Sequence, residues 1–234
     1  MLQELLLDYW QSRSAVSCSV KSFSAVQYTG RLDAEYYQPK YDELFRRLSA
    51  CANKQLGDIV SIKKSVEPGS DSYQSDGVPF IRVSDVNKFG ISETDLHLSP
   101  SDFNLEGLRP HKDTILLSKD GSVGIAYKCE KKLDIITSSA LLHLTVTDSN
   151  FLPDYITLVL NSIVVQLQAE RDSNGAIIQH WKPDDIKRVV IPLLAMKTQQ
   201  LIAEKIQRSF ALRSESKQLL EQAKQLVERE IERA

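Results

Sequence analysis

Two aspartates and a lysine have the spacing that one class of metal-dependent nuclease uses. Pro153 and Asp154 are followed, thirty-one positions after Asp154, by Asp185 and then Lys187. This PD…(D/E)xK-type pattern could hold Mg²⁺ and polarise a phosphate. A simpler explanation is that Pro153 and Pro183 each occupy the first turn of a helix, where proline and aspartate are common. We favour the two helix starts and keep the nuclease as an alternative hypothesis.

Other catalytic signatures do not occur in the sequence. Gly121 and Gly124 lack the Gly-Lys-Ser/Thr that a phosphate-binding loop requires, and neither a dinucleotide-binding nor an Asn/Asp-Pro-Pro-aromatic methylation motif is present. His143 alternates with leucines in a predicted strand, and no two histidines have metal-ligand spacing. The cysteines form no CxxC pair, so neither a disulfide framework nor a zinc site is indicated. We therefore predict no catalytic residue, no metal and no cofactor.

Polar side chains lie instead in the loops between predicted strands, and their types suit contact with DNA. Lysine, arginine and serine bond to phosphates, whereas arginine, asparagine and glutamine also bond to base edges. Alternation in "FIRVSD" predicts that Arg82 and Ser84 share one face of a strand. The candidate DNA-contacting residues are Lys63, Lys64, Arg82, Ser84, Lys119, Ser122, Arg171, Asn174, Gln179, His180 and Lys182, with Tyr73 and Trp181 beside them. For each residue taken singly, a solvated surface side chain is the alternative explanation.

Short strands are the elements that would mount these loops. Between about Leu56 and Val146 the apolar residues alternate with a period of two, which predicts β-structure. The runs are "IVSIKK", "VPFIRVSDV", "DTILLS", "VGIAYK" and "SSALLHLTV", with a last strand at "RVVIPL". Asp120–Gly121 between two of these runs predicts a hairpin with a type I′ turn.

Helical spacing flanks the strand region on both sides. An i, i+3, i+4, i+7 apolar pattern from Tyr41 to Leu48 predicts a helix with Pro39 in its first turn. After Pro153, "PDYITLVLNSIVVQLQAE" returns to helical spacing. In the N-terminal segment, residues 1–30, "LQELLLDYW" favours a short amphipathic helix and "SRSAVSCSVKSFS" favours a linker or an irregular strand.

One long helix is predicted at the C-terminal end. From Lys197 to Arg233 there is no glycine and no proline, which corresponds to a helix of about 55 Å. Leucines recur every seven residues, and a stripe of that length needs a partner helix because the preceding domain is too small to cover it. The residues assigned to this partner surface are Ile202, Ile206, Leu212, Leu219 and Leu226. Ser209, Ser216 and Glu230 interrupt the seam, so we expect a coiled-coil contact of a few heptads.

Composition narrows the class of protein. The 234 residues are 42% hydrophobic and 26% charged, which is typical of a globular protein. The formal net charge is -2, so contact with nucleic acid requires a local basic patch. Glu4 and Asp8 interrupt the apolar N-terminus, which argues against a signal peptide, and the longest apolar run is too short to span a bilayer. With three scattered cysteines, we expect a cytoplasmic protein that contacts no membrane.

Five blocks of the sequence, in this order, resemble a type I restriction–modification specificity subunit. They are "DGVPFIRVSDV", "DTILLSKDGSVGIAY", "TSSALLHLTV", "NSIVVQLQAERDSNGAIIQHWKPDDIKRVVIPL" and "KTQQLIAEKIQRSFALRSESKQLLEQAK". Together they cover roughly residues 31–233. Each block alone is a weak match, and the occurrence of all five in the family's order makes the resemblance specific.

The resemblance implies a non-enzymatic DNA reader. Such subunits have two target-recognition domains, each followed by a long helix, and the two helices pack antiparallel as a spacer. This sequence has one of each, so we expect a half-subunit. Its α+β recognition domain would have a mixed, mostly β core with flanking helices at 31–195, followed by a spacer and dimerisation helix at 196–234.

The implied partners are macromolecules. They are double-stranded DNA, the methyltransferase and restriction subunits, and a second copy or another half-subunit bound through the long helix. A structural coiled-coil adaptor without DNA affinity is the remaining alternative, and it would leave the basic loops without a role.

Overall fold

The computed structural model describes residues 19–101, 106–173 and 179–233, and within them the chain has the predicted α+β fold. The α-helices of these residues are α1 (Phe23–Thr29), α2 (Pro39–Ser49), α3 (Leu56–Ile59), α4 (Pro153–Leu160), α5 (Ile163–Asp172), α6 (Pro183–Lys187) and α7 (Met196–Glu232). The strands are β1 (Asn53–Gln55), β2 (Val60–Lys64), β3 (Tyr73–Gln74), β4 (Val78–Ile81), β5 (Val86–Asn87), β6 (Gly90–Ile91), β7 (His97–Leu98), β8 (Ile115–Ser118), β9 (Ala126–Lys128), β10 (Ile136–Thr137), β11 (Leu141–Val146) and β12 (Val190–Pro192).

The main sheet has four antiparallel strands in the order β2-β11-β8-β9. In its register Leu142 lies opposite Lys64, and Leu141 lies opposite Ser118. Because neighbouring strands run in opposite directions, β2 and β8 end at the same edge at which β11 and β9 begin. The loops that follow β2 and β8 therefore leave the same end of the sheet, on either side of β11.

Helices α4 and α5 cover the main sheet and form the principal core with it. Leu117 and Leu144 from the sheet, Ile156 and Val165 from the helices, and Trp181 from the segment before α6 are all fully buried in one cluster. Burying each such side chain contributes about 1.5–3 kcal/mol. The core therefore holds the ends of the main sheet on a rigid base.

A second, mixed sheet has the order β10-β4-β7-β3, with β10 parallel to β4. Phe80 and Ile136 lie opposite each other and bury a smaller apolar cluster with Val78 and Leu98. Ser138, just after β10, donates its N–H to the carbonyl of Ile81 at 2.8 Å and forms an isolated bridge with Val66. The end of β4 is thereby tied to the segment that follows β2.

Several helix predictions are confirmed. Helix α2 begins at Pro39, and its buried residues pack with Leu167 of α5. Pro153 and Pro183 occupy the first turns of α4 and α6.

Helix α7 confirms the long C-terminal helix and shows where it meets the domain. The side chain of Gln199 is fully buried: its amide donates to the carbonyls of Asn150 (2.8 Å) and Leu194 (2.9 Å) and accepts from the N–H of Leu152 (3.0 Å). Ile202 is partly buried against the principal core. Leu212, Leu219 and Leu226 are 54%, 58% and 55% exposed. The first turns of α7 are anchored in the domain, and the leucine repeat further along the helix is exposed.

Two local predictions are wrong, and a third is wrong only at its end. The described part of the serine-rich stretch is irregular up to Ser22, which caps α1, and its last two residues, Phe23 and Ser24, are helical. β4 stops at Ile81 because the Asp85 carboxylate accepts the N–H of Arg82 and turns the chain, so Arg82 and Ser84 do not share a strand face. β8 and β9 do pair as a hairpin, but seven residues connect them and Asp120 lacks the positive φ of a type I′ turn.

Some predictions lie beyond these observations. The predicted helix "LQELLLDYW" is outside the described residues, and the domain limits at 30 and 195 stay predictions. In the part of the chain that the structure describes, no helix is both long and apolar enough to cross a membrane.

Candidate nucleic-acid interface

Two of the predicted contact segments leave one edge of the main sheet together, and a third joins them. Lys64 ends β2, and the loop that begins at Lys119 follows β8. The N–H of Lys119 donates to the carbonyl of Ala140, directly before β11, at 2.9 Å. The segment from Gln179 to Lys182 is bonded to the Lys119 loop, as described next. We refer to Lys63–Lys64, Lys119–Ser122 and Gln179–Lys182 together as the sheet-end surface.

Backbone hydrogen bonds join the last two segments of this surface. The N–H of Gly121 donates to the carbonyl of Gln179 at 2.9 Å, and the N–H of Trp181 donates to the carbonyl of Lys119 at 2.7 Å. Between these bonds, Asp120 and His180 form an antiparallel bridge. The full burial of Trp181 fixes the pair to the core. Segments sixty residues apart in sequence thus form one rigid unit.

Asp120 is the centre of a small charged cluster on this unit. Its carboxylate accepts hydrogen bonds from Nζ of Lys119 and from Nδ1 of His180. Lys119 is only 7% exposed, so its ammonium group is committed to Asp120. The imidazole of His180 remains half exposed. Of the two predicted DNA-contacting residues in this cluster, His180 is accessible, whereas Lys119 is buried and paired with Asp120.

The two lysines at the end of β2 have different surroundings. Nζ of Lys63 donates to the carbonyl of Gly107. Lys64 is exposed, and with Lys187 and Arg188 it contributes to lowering the pKa of Asp184, for which the Lys187 hydrogen bond is the largest cause. Lys64 thus adds an exposed positive charge to the sheet-end surface.

Arg82 and Ser84 lie next to this surface, in the turn after β4. Ser138 links that turn to the chain just beyond β2. The side chain of Arg82 is 51% exposed, with its Nε 3.7 Å from Asp85. Ser84 donates to the same carboxylate at 3.0 Å. Asp85 therefore shapes the turn and leaves the Arg82 guanidinium largely accessible.

Arg171 is occupied by packing within the domain. Its guanidinium bonds to Asp172 at 2.7 and 3.0 Å and lies over the rings of Phe45 (4.3 Å) and Tyr36 (5.2 Å). It nevertheless lines a polar cavity of about 500 Å³ together with the exposed Lys182. Asn174, the remaining predicted contact, lies outside the described residues.

The aspartates of the nuclease-like pattern line different cavities. Asp154 borders a cavity of about 420 Å³ between α4 and α7 and is paired with the buried Lys128 at 3.2 Å. Asp185 lines the polar cavity beside α6 and pairs with Arg188. Lys187 bonds to Asp184 at 3.0 Å. The arrangement gives these carboxylates cationic partners and does not join them in one site.

Comparison with protein families shows which family the chain belongs to. Residues 50–225 match the family model described as the type I restriction modification DNA specificity domain. The chain belongs to this family. The resemblance seen in the sequence is thereby confirmed.

The specificity-domain family includes relatives that are longer than this chain. This chain is 26% identical over 173 residues to the type I restriction enzyme StySPI specificity subunit of Salmonella potsdam, and the match covers 73% of this chain and 37% of that protein. It is 23% identical over 148 residues to the EcoBI specificity subunit of Escherichia coli, covering 62% and 31%. The chain thus spans about a third of the length of these relatives.

A solved structure shows the same fold. The HsdS subunit from Thermoanaerobacter tengcongensis superposes with a TM-score of 0.50 at 18% identity, over 82% of this chain and 49% of that one. At this identity the likeness concerns the fold alone.

The sequence did not reveal one residue of this site. The Asp120–Gly121 pair predicts only a turn, although the Asp120 carboxylate holds Lys119 and His180. Its position between a lysine and a glycine was the available signal. The partner sixty residues away could not be identified from spacing.

Proposed function

We propose that this specificity-domain protein recognises a DNA sequence for a type I restriction–modification system. The observation that carries the proposal is the sheet-end surface, in which two segments locked by backbone bonds present exposed polar side chains from a buried base. A rigid mount with polar tips is what base recognition requires, because a hydrogen bond to a base edge depends on accurate placement.

Local charge supports this proposal despite the net charge of -2. The sheet-end surface and its neighbours present several exposed cations, which suit contact with phosphates. They include Lys64, Arg82, Lys182 and Arg188. On this proposal Lys64 and Lys182 position the duplex, and Arg82 reaches a base.

The proposed partners follow from the family and from α7. The protein acts in the cytoplasm without an active site of its own, and directs methyltransferase and restriction subunits to the target. The methyltransferase subunit docks on the long helix. The exposed leucines of α7 bind a second copy or another half-subunit, which gives a target in two separated parts.

The test is a mobility-shift assay of the full chain with a pool of random duplex DNA, at low salt, with and without Mg²⁺. We expect retarded DNA in both conditions and no cleavage products. Asp185→Ala serves as the matched variant, because it removes a carboxylate of the nuclease-like pattern and leaves the sheet-end lysines in place.

The outcomes separate the three hypotheses. Mg²⁺-dependent cutting that Asp185→Ala abolishes would replace the proposal with the nuclease. A chain that retards no DNA at low salt would support the coiled-coil adaptor.

A further inference from the structure

The imidazole of His180 stands exposed on a backbone that is fixed on both sides. Its side chain is 52% exposed, whereas the next residue, Trp181, is fully buried. Hydrogen bonds at Gln179 and Trp181 hold the backbone to the Lys119 loop. The imidazole of His180 is therefore accessible, while the backbone that carries it has little freedom to move.

Asp120 determines which nitrogen of His180 carries the proton. An ionised carboxylate only accepts hydrogen bonds, and Oδ1 of Asp120 is bonded to Nδ1 of His180. A neutral imidazole has a single N–H, so Nδ1 is the donor and Nε2 is left as an acceptor. Nε2 of His180 makes no hydrogen bond to any residue that the structure describes.

We propose that Nε2 of His180 reads an exocyclic amino group in the major groove, either N4 of cytosine or N6 of adenine. This inference rests on the proposed DNA-recognition function. In the major groove cytosine and adenine present such a donor, whereas guanine and thymine present only acceptors. A second acceptor facing Nε2 would be left without a proton, so guanine and thymine are disfavoured at that position.

Asp120 is the positioning residue, and Lys119 makes its role testable. The ammonium group of Lys119 only donates, and it is bonded to Oδ2 of Asp120. In Asp120→Asn the new amide therefore turns its carbonyl to Lys119 and its NH₂ to His180. Nδ1 then becomes the acceptor, and the proton moves to Nε2. The variant converts the exposed acceptor of His180 into a donor.

The experiment selects bound sequences from a random duplex library, using the full chain and alkaline buffer so that imidazoles are neutral. We expect the wild type to enrich adenine or cytosine at one position. His180→Asn keeps a donor toward Asp120 but has no equivalent of Nε2, so this preference falls by about fivefold, the factor of one hydrogen bond. Asp120→Asn shifts the same position toward guanine or thymine.

A matched control is His111→Asn, which changes an exposed histidine at the opposite end of β8 and should leave every base frequency unchanged. Thermal melting verifies that each variant is folded. Identical selected sequences for wild type and His180→Asn overturn the inference, as does an equal change in His111→Asn. A wild type that binds DNA but enriches no sequence, or binds none, overturns the proposed function itself.

Discussion

The guanidinium of Arg213 lies over the ring of Phe89, with 4.2 Å between Cζ and the ring centroid. Arg213 belongs to α7, and Phe89 lies in the turn between β5 and β6. Lys88 also lies over the same ring, at 5.1 Å. Helix α7 is anchored in the domain at Gln199, and the Arg213–Phe89 contact lies more than three turns further along the helix. It is a second support that fixes the direction in which the helix projects.

Removing that support should loosen the helix. We expect Phe89→Ala to broaden the distance distribution between spin labels at positions 61 and 218 in a cysteine-free background. The lost cation–π contact is worth about 1 kcal/mol. Phe89→Tyr keeps the ring face and should retain the narrow wild-type distribution. An unchanged distribution in Phe89→Ala would show that the first turns of α7 alone set its direction.

Lys182 should contribute to affinity for every DNA sequence alike. It is exposed, on the sheet-end surface, and has no ion pair within the described ranges. We expect Lys182→Gln to weaken binding and to reduce the slope of log affinity against log salt by about one. Lys217→Gln, on an exposed part of α7, removes the same charge and should leave the slope unchanged. Equal slopes in the two variants would remove Lys182 from the interface.

The exposed stripe of α7 should hold two chains together. Leu219 is 58% exposed and lies in the middle of the Leu212 to Leu226 repeat. Burying such a leucine against a partner contributes about 1.5–3 kcal/mol, whereas a buried glutamate is strongly unfavourable. We expect the wild type to be a dimer by light scattering at micromolar concentration and Leu219→Glu to be a folded monomer.

The matched control for the dimer is Gln218→Glu. It adds the same charge at an exposed neighbouring position of α7, away from the leucine repeat. We expect this variant to remain dimeric. A monomeric wild type, with or without DNA, would contradict self-association through α7.

His143 should make stability depend on pH. Burial, with a smaller effect of Lys63, lowers its pKa from 6.5 to about 4 in the folded chain. The unfolded chain takes up the proton first, so the histidine's full contribution is present above pH 6.5 and is lost as pH falls toward 4. The loss amounts to about 3 kcal/mol.

The measurement is the free energy of unfolding by urea at about pH 7 and about pH 5. We expect His143→Gln to flatten the difference and His111→Gln, at an exposed histidine, to preserve it. The carboxyl of Glu43 has its pKa lowered from 4.5 to about 2 by Arg46 and Arg47, so it acts below this window. An equal difference in wild type and His143→Gln would contradict the assignment.

Elements with a local cause were predictable from the sequence. Helix α2 followed from the spacing of Tyr41, Leu44 and Leu48, and its start followed from the fixed backbone angle of Pro39. Helix α7 followed from thirty-seven residues without glycine or proline. In both cases the information lies within a few turns of one helix.

Features that depend on distant contacts were not predictable. The division of the strands into two sheets depends on pairings such as that of β10 with β4, more than fifty residues apart. The turn after Ile81 exists because Asp85 accepts the N–H of Arg82, which competes with extension of the strand. The residue type of Lys119 predicts a phosphate contact. Its burial beside Asp120 could not be inferred from the residues next to it in the sequence.

Within the four residues from Gln179 to Lys182, stability of the core and the proposed DNA recognition depend on different side chains. Gln179, His180 and Lys182 are exposed, whereas Trp181 is fixed in the core. Substitutions at exposed positions remove little packing, so stability places few restrictions on those three side chains. Under the proposed function, a lineage could therefore acquire a new target sequence by point mutation at these positions. The core would need no compensating change, and each intermediate would still fold.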